Sequence, residues 1–138
     1  MEKKFMKEAM KQAIKACNRG EIPVGAVIVK DGKVIARGYN KKEKTKDVTK
    51  HAEIIAIQKA CKKNNDWRLS GCSLYVTLEP CLMCMGALLE ARIDKLVYGA
   101  ASENKNSEKA NNKSLEIIGG VLEKENSEIL KKFFQKKR

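Results

Sequence analysis

Three side chains in this chain have the chemistry and spacing to hold a metal ion. His51 is the only histidine among the 138 residues, and Cys81 and Cys84 follow Pro80 in the segment EPCLMC. Proline suits the first turn of a helix, and side chains three residues apart share a helix face, so both sulfurs can reach one point. The positive end of that helix also lowers thiol pKa values. An imidazole and two thiolates make three ligands, which is typical of a catalytic zinc with one open position.

Other interpretations of these residues stay open. Two cysteines at this spacing are also typical of a redox pair or of half-buried thiols, although neither explains the histidine. A histidine on a helix with apolar neighbours is by default a core residue. A structural zinc would need a fourth ligand, and the remaining cysteines are Cys17, Cys61 and Cys72. Each of these lies in an apolar pattern that predicts a core position, so we favour the three-ligand site.

Glu53 lies two residues after His51, a spacing that does not stack the two side chains on one helix face. They can still approach one point if His51 opens the helix, because side chains there converge on the space beyond its end. A carboxylate near a metal but outside its ligand set can carry a proton from water to a leaving group. Taken alone, Glu53 is better explained as an ordinary first-turn glutamate favoured by the helix dipole.

Helices and strands alternate along the chain in a way that predicts a layered α/β domain. The N-terminal segment predicts an amphipathic helix whose apolar face includes Ile14, and Asp31-Gly32 suits a hairpin turn. We expect KKEKTKDVTK to be a charged loop and ASENKNSEKANNKS to be a flexible connector. Strands are predicted in GEIPVGAVIV, VIARGYN, SLYVTL, KLVYGA and LEIIGGVL, and further helices from near His51 to about Asn64, in CLMCMGALLEAR and in EKENSEILKKFFQKKR.

Composition narrows the class of protein. The chain has the size of one domain, predicted to span residues 1–138, and its five cysteines favour thiols or metal ligands over disulfides. The sequence lacks an apolar run long enough to span a bilayer and the apolar core of a signal peptide, so we expect a cytoplasmic protein without a membrane partner. The net charge of +12 favours nucleic acid as a partner, although an ordinary lysine-rich surface gives the same excess.

The order His-x-Glu and then Pro-Cys-x-x-Cys resembles the signature of the zinc-dependent nucleoside and nucleobase deaminases. The segments EIPVGAVIV, GYN, HAEI, LYVTLEPCLMCMGALLEARIDKLVYGA and FFQKKR closely resemble the bacterial tRNA-specific adenosine deaminases. This resemblance implies one CMP/dCMP-type deaminase domain with the three-layer αβα cytidine deaminase-like fold, a five-stranded mixed sheet with helices on both faces. It also implies conversion of adenosine to inosine at the wobble position of a tRNA anticodon, usually by a homodimer.

Carried over residue by residue, the resemblance implies one Zn²⁺ per chain, held by His51, Cys81 and Cys84. Zinc would make hydroxide available near neutral pH, and Glu53 would shuttle protons to the purine ring and to the departing ammonia. The target base must leave its stack, at a cost of roughly a few kcal/mol. Asn40 is expected to hydrogen-bond the flipped nucleoside, or else to be a turn residue that ends a strand. The expected pocket walls, which would be equally ordinary as core, are Ile22, Val24, Ala52 and Leu78.

Two further segments bear on the substrate. Phe133 and Phe134 stand among five basic residues in KKFFQKKR, which suits the single-stranded loop of an anticodon stem-loop, although at least one ring could instead pack into the core. The connector is shorter than in the resembled family and has Ser102 where that family has an acidic residue near the substrate ribose, unless Glu103 takes that place. We therefore expect weaker discrimination against deoxyribose, which makes single-stranded DNA a candidate second partner.

Three classes of function follow from these patterns. The leading hypothesis is an adenosine deaminase that acts on tRNA. The second is a deaminase of a free base or nucleoside of the guanine or cytosine type, and the third is a non-catalytic zinc-bearing nucleic-acid binder. Glu53 argues against the third, because binding alone does not need a proton shuttle.

Overall fold

The computed structural model describes residues 2–110 and 114–136. No helix within these residues is both long and apolar enough to cross a bilayer. The helices and strands, in chain order, are α1 (Glu2–Asn18), β1 (Gly25–Lys30), β2 (Lys33–Tyr39), α2 (Lys42–Thr45), α3 (Ala52–Asn64), β3 (Cys72–Leu78), α4 (Leu82–Glu90), β4 (Lys95–Ala100), α5 (Asn106–Ala110), β5 (Glu116–Ile118) and α6 (Glu123–Lys136).

The strands form one mixed sheet in the order β2-β1-β3-β4-β5. β1 runs antiparallel to β2 and β3, whereas β3, β4 and β5 run parallel. Gly25, the first residue of β1, pairs with Tyr39, the last residue of β2. Leu78 and Ala100, the last residues of β3 and β4, also pair with each other. As a result, the start of β1 and the ends of β2, β3 and β4 meet at the same edge of the sheet, where the loops that follow them can form a site.

Side chains alternate between the two faces of the sheet, as the pleat of a β-strand requires. In β1, Ile28 packs with the residues of α3 and α4, whereas Val27 packs with those of α1. Helix α6 contacts β4 and α1, and so lies on the α1 side. The predicted three-layer αβα arrangement and five-stranded mixed sheet are confirmed.

Strand β2 approaches α3 unusually closely at Gly38. A Cβ atom at this position would lie 2.5 Å from the carbonyl oxygen of Ala52 and 2.8 Å from the backbone nitrogen of Ala56. Because glycine has no Cβ, the first turns of α3 can lie directly against the sheet. This contact places the start of α3 at the edge where the strand ends meet.

Two segments predicted without regular structure contain short helices. The expected charged loop includes α2. The backbone N–H groups of its second and third residues, Glu43 and Lys44, donate to the buried carboxylate of Glu21 at 3.0 and 2.8 Å. The connector, residues 101–114, includes α5, and Ser107 there is fully buried. The backbone N–H groups of the connector residues Ser102 and Ser107 likewise donate to a distant carboxylate, that of Glu79. Local sequence does not reveal either contact.

Ile14 is a local correction to the predicted apolar face of α1. Its side chain is 48% exposed, whereas Ala9 and Ala13 are fully buried. A Cβ atom on Gly25 would lie 2.1 Å from the carbonyl oxygen of Ala9, so the helix packs against β1 at almost backbone distance. Small residues allow α1 to pack this closely on β1, and the larger Ile14 side chain lies at the margin of the contact.

Candidate active site

Two helix N-termini converge at the edge of the sheet. His51 is the N-cap residue of α3, with an extended backbone at φ −76° and ψ 157°. Cys81 is the N-cap residue of α4, with φ −74° and ψ 174°. The partial positive charge at a helix N-terminus favours thiolates and carboxylates. The predicted convergence of His51 with its companions therefore arises because His51 and Cys81 each open a helix.

The geometry of these side chains fits a tetrahedral metal. His51 Nδ1 lies 3.7 Å from Cys81 Sγ and 3.6 Å from Cys84 Sγ, and the three candidate ligand atoms all lie within 4.8 Å of one another. Zinc at its usual distances to sulfur and nitrogen would separate those atoms by about 3.6 Å. The three residues predicted as ligands are therefore brought together at the spacing that zinc requires.

The charge state of the two thiols also favours a cation. Hydrogen bonds from Cys84 and from His51 lower the pKa of Cys81 to about 3, although burial acts in the opposite direction. The same contact with Cys81, together with burial, raises the pKa of Cys84. One sulfur is thus a thiolate near neutral pH, and ionising the second requires a nearby positive charge. A divalent metal would supply that charge.

Glu53, the second residue of α3, is 3% exposed. Burial raises the pKa of its carboxyl to about 7, while contacts with the backbone, His51 and the Cys84 thiol partly oppose this. An ordinary first-turn glutamate would lie in solvent, so burial argues against that interpretation. A carboxyl with a pKa near neutrality can both accept and donate protons.

The remaining cysteines lie elsewhere. Cys61 Sγ is 3.4 Å from the carbonyl oxygen of Trp67, Cys72 is buried in the core, and Cys17 lines a cavity with Phe133. Within residues 2–110 and 114–136, the group of side chains placed to hold a metal consists of His51, Cys81 and Cys84. This arrangement favours the three-ligand site over a structural site with four ligands.

A cavity of about 260 Å³ opens beside these side chains. This is close to the lower end of small-molecule sites, about 300 Å³. His51, Glu53 and Cys81 lie in its wall. The structure also brings to this cavity six residues that the sequence predicts as substrate contacts: Ile22, Val24, Asn40, Ala52, Leu78 and Ser102.

Asn40 is buried at the end of β2, and its carboxamide is partly engaged by the protein. Its side-chain oxygen accepts a hydrogen bond from the Lys42 backbone N–H at 3.2 Å, and its Nδ2 lies 3.5 Å from the carbonyl oxygen of Ile22. The side chain thus combines the turn role with a position in the cavity wall. The longer contact leaves the amide group able to donate to a ligand as well.

Sequence reasoning missed four residues of this cavity: Lys42, Glu79, Asn104 and Asn106. Glu79 is 4% exposed and accepts hydrogen bonds from the connector residues Ser102 and Ser107. Burial acts to raise the pKa of Glu79, but these hydrogen bonds outweigh it and lower the pKa. A charged residue at the end of the apolar strand segment LYVTLE was the available signal.

The two C-terminal phenylalanines line a second cavity of about 450 Å³, which shares Ile22, Asn40 and Lys42 with the first. Phe133 is 7% exposed and Phe134 is 49% exposed. Their rings meet edge to face with centroids 5.3 Å apart. One ring therefore packs into the protein and the other faces outward. Of the basic residues in this tail, residues 137 and 138 lie outside the described part of the chain.

Comparison with known proteins identifies the relatives of this chain. A family model of MafB19-like deaminases matches residues 1–138. The tRNA-specific adenosine deaminase of Bacillus subtilis (strain 168) is 43% identical over 143 residues, which cover 97% of this chain and 89% of the relative. The tRNA-specific adenosine deaminase of Agrobacterium fabrum is also 43% identical, with 97% and 94% covered.

Solved structures that resemble this chain are also deaminases. A structure from studies of A-to-I editing by tRNA:A34 deaminases has a TM-score of 0.85 and 41% identity, and covers 91% of this chain and 98% of that one. Guanine deaminase from Bacillus subtilis has 44% identity but a TM-score of 0.69, over 77% of this chain and 68% of that one. On the combined evidence of sequence, fold and coverage, the chain belongs to the tRNA-specific adenosine deaminase family of the cytidine deaminase-like superfamily.

Proposed function

We propose that this protein is a zinc-dependent hydrolase that converts adenosine to inosine at the wobble position of a tRNA anticodon. The observation that carries the proposal is the buried carboxyl of Glu53 beside the His51, Cys81 and Cys84 cluster, at the wall of a cavity. The extensive similarity to tRNA-specific adenosine deaminases supports tRNA as the substrate.

The three clustered side chains would hold one zinc ion per chain. When bound, zinc supplies a Lewis acid that makes water a competent nucleophile near neutral pH. Glu53 accepts the proton that this water gives up and passes it to a ring nitrogen of the purine, which makes C6 electrophilic. After the water oxygen has added at C6, Glu53 takes the remaining proton from the new C6 hydroxyl and passes it to the amino group. The bond from C6 to this nitrogen then breaks, ammonia departs and a C6 carbonyl is left. The net change is adenosine plus water to inosine plus ammonia.

The cavity wall determines how the base is held. Ile22, Val24 and Leu78 give it apolar faces suited to a flat purine, and Asn40 supplies a carboxamide in its wall. The volume of about 260 Å³ accommodates a base that has left its stack. Extrusion costs roughly a few kcal/mol, least in a single-stranded loop, which favours an anticodon loop over a paired stem.

A homodimer is part of this proposal. Leu82 and Met83 on α4 are 58% and 37% exposed, and Trp67, which follows α3 in the chain, is 51% exposed. Trp67 lines a shallow cavity with Ala87 and Glu90 of α4, and neighbouring large apolar side chains that face solvent are typical of a protein–protein contact. We propose that two copies pair through the exposed face of α4.

The second candidate function is deamination of free guanine, and the similarity to guanine deaminase from Bacillus subtilis favours it. The test is an assay of the zinc-loaded protein on an anticodon stem-loop, free guanine, adenosine and cytidine, with ammonia release as the readout. We expect turnover on the stem-loop and little on the free compounds. Turnover on guanine without turnover on the stem-loop would contradict the proposal.

The different burial of the two C-terminal rings predicts separable effects. Phe134→Ala should weaken stem-loop binding by about 1–3 kcal/mol, because an exposed ring can stack on a base. Phe133→Ala should instead lower the free energy of unfolding by about 3–5 kcal/mol, because it empties a buried position. Binding titrations and chemical denaturation measure the two effects. Equal loss of affinity in both variants, with unchanged stability, would assign both rings to the substrate.

The basic residues of α6 predict that the affinity for the stem-loop depends on salt concentration. Replacing Lys131 and Lys132 with glutamine should reduce the slope of log affinity against log salt concentration by about 0.7 for each phosphate that the protein no longer neutralises. The zinc content should not change, because the ligands lie on other elements. An unchanged slope would show that these charges are only solvated.

Ser102 predicts the sugar preference of the site. Its Oγ lies 3.3 Å from a carboxylate oxygen of Glu79, and its side chain also lines the cavity. An aspartate here would be repelled by Glu79 and turn towards the substrate, where it could accept a hydrogen bond from a ribose 2′-hydroxyl. Ser102→Asp should therefore raise the preference for an RNA stem-loop over its DNA counterpart.

The control for this prediction is Ser102→Asn, because asparagine has nearly the same shape as aspartate but carries no charge. Rates of adenine deamination on matched RNA and DNA stem-loops give the preference for each variant. If Ser102→Asp leaves the preference unchanged, or shifts it towards DNA, then Ser102 does not lie beside the sugar.

A further inference from the structure

The carboxylate of Glu79 holds one wall of the cavity in place. One oxygen accepts hydrogen bonds from the backbone N–H of Ser102 at 2.9 Å and from its hydroxyl at 3.3 Å. The other oxygen accepts from the backbone N–H of Ser107 at 3.2 Å and from the Ser107 hydroxyl. Four donors from the connector thus converge on a single side chain at the end of β3.

The residues between these two attachment points face the substrate cavity. Asn104 and Asn106 both lie in its wall, together with Ile22 and Val24 from the far end of the chain. Asn104 is exposed, so the packing of its own side chain does not fix the backbone there. The hydrogen bonds of Glu79 to Ser102 and Ser107, on either side of it, provide that constraint.

We propose that Glu79 is a positioning residue, which fixes the connector so that the carboxamides of Asn104 and Asn106 contact the nucleotide in the cavity. A carboxamide offers both a donor and an acceptor, and so suits the sugar hydroxyls or base edge of a nucleotide. This inference rests on the proposed function for the identity of the substrate, but the attachment of the connector to Glu79 does not.

The chemistry of the attachment requires a carboxylate. Each oxygen of Glu79 accepts from a backbone N–H, which can only donate. Glutamine has one oxygen and one NH₂ group, so its NH₂ would face one of these N–H groups, donor against donor. Glu79→Gln keeps the shape of the side chain and breaks one of the two attachments.

The first experiment measures the connector directly. Hydrogen exchange of the zinc-loaded protein should be faster at residues 101–107 in Glu79→Gln than in the parent. Glu108→Gln is the matched control, since it makes the same charge change at an exposed position of α5 and should leave exchange unchanged. Equal exchange in Glu79→Gln and the parent would overturn the proposal, whether or not the protein acts on tRNA.

The second experiment measures the effect on the substrate. Glu79→Gln should raise KM for an anticodon stem-loop about tenfold, since a hydrogen bond to a charged group is removed, and change kcat much less. Asn104→Ala should raise KM in the parent but have little further effect on KM in Glu79→Gln. Both substitutions remove the same contact between Asn104 and the nucleotide, so their effects should not add. Additive effects, or a fall confined to kcat together with loss of zinc, would contradict the positioning role.

These experiments distinguish a failure of the proposed function from a failure of the role proposed for Glu79. If the parent does not deaminate the stem-loop, the proposed function is wrong, and the exchange experiment still decides the role of Glu79. If Glu79→Gln does not fold, Ser107→Ala removes one of the four hydrogen bonds and leaves the carboxylate in place. A smaller rise in KM and in exchange is then expected, and no change in either would overturn the proposal.

Discussion

Replacing Glu53 with alanine should lower kcat on an anticodon stem-loop by about 10²–10⁴-fold, the range of general acid–base catalysis. The carboxyl is buried beside the His51, Cys81 and Cys84 cluster, so no bulk solvent base can easily take its place. Zinc content should stay at the parent level, because Glu53 is not a member of the ligand cluster. Single-turnover kinetics and metal analysis of the same preparation measure the two quantities.

Glu53→Gln is the matched control for this prediction. Glutamine has nearly the same shape and fills the buried space, but it cannot accept and return a proton. We expect both variants to lose activity to a similar extent and to melt near the parent temperature. A variant of either kind that retains the parent rate would show that another group moves the proton.

Cys81→Ala and Cys84→Ala should each lose the bound metal and all measurable turnover. Among the described residues the cluster consists of three side chains, so removal of one sulfur leaves two ligands for the ion. Cys61→Ala is the control, because its thiol is partly buried and contacts the Trp67 carbonyl away from the cluster. Elemental analysis of the purified proteins should give about one zinc per chain for the parent and the control.

X-ray absorption at the zinc edge completes this prediction. The expected ligand set is two sulfurs at about 2.3 Å and two lighter atoms at about 2.0 Å, one from His51 and one from water. A third sulfur would mean that one of the other cysteines closes the site. That result would contradict a catalytic metal and favour a structural one.

Much of the fold could be predicted because periodicity and turn chemistry are local. The Asp31-Gly32 turn has φ angles of 52° and 75°, as a hairpin of this kind requires. The helix predicted to begin near His51 does begin at the next residue. Local patterns do not reveal how closely elements approach, which is why the environment predicted for Ile14 is wrong.

Some residues of the candidate site could be predicted from the sequence and others could not. His51 and the two cysteines combine uncommon residue types with a recognisable order, so sequence alone is sufficient to select them. Glu79 acquires its importance only through Ser102 and Ser107, which are 23 and 28 residues further along the chain. The segment between these two serines has no hydrophobic period. It is held by a tertiary contact that no local pattern encodes.

We expect this protein to make inosine at the wobble position of a tRNA anticodon. The most direct measurement is mass spectrometry of a ribonuclease digest of an adenosine-34 tRNA after incubation with the zinc-loaded protein. We predict a gain of about 1 Da confined to the anticodon fragment, because an amino group is replaced by a carbonyl oxygen. The gain should be absent with Glu53→Ala. An unmodified anticodon fragment under conditions where the parent protein deaminates free guanine would contradict the assignment of tRNA as the substrate.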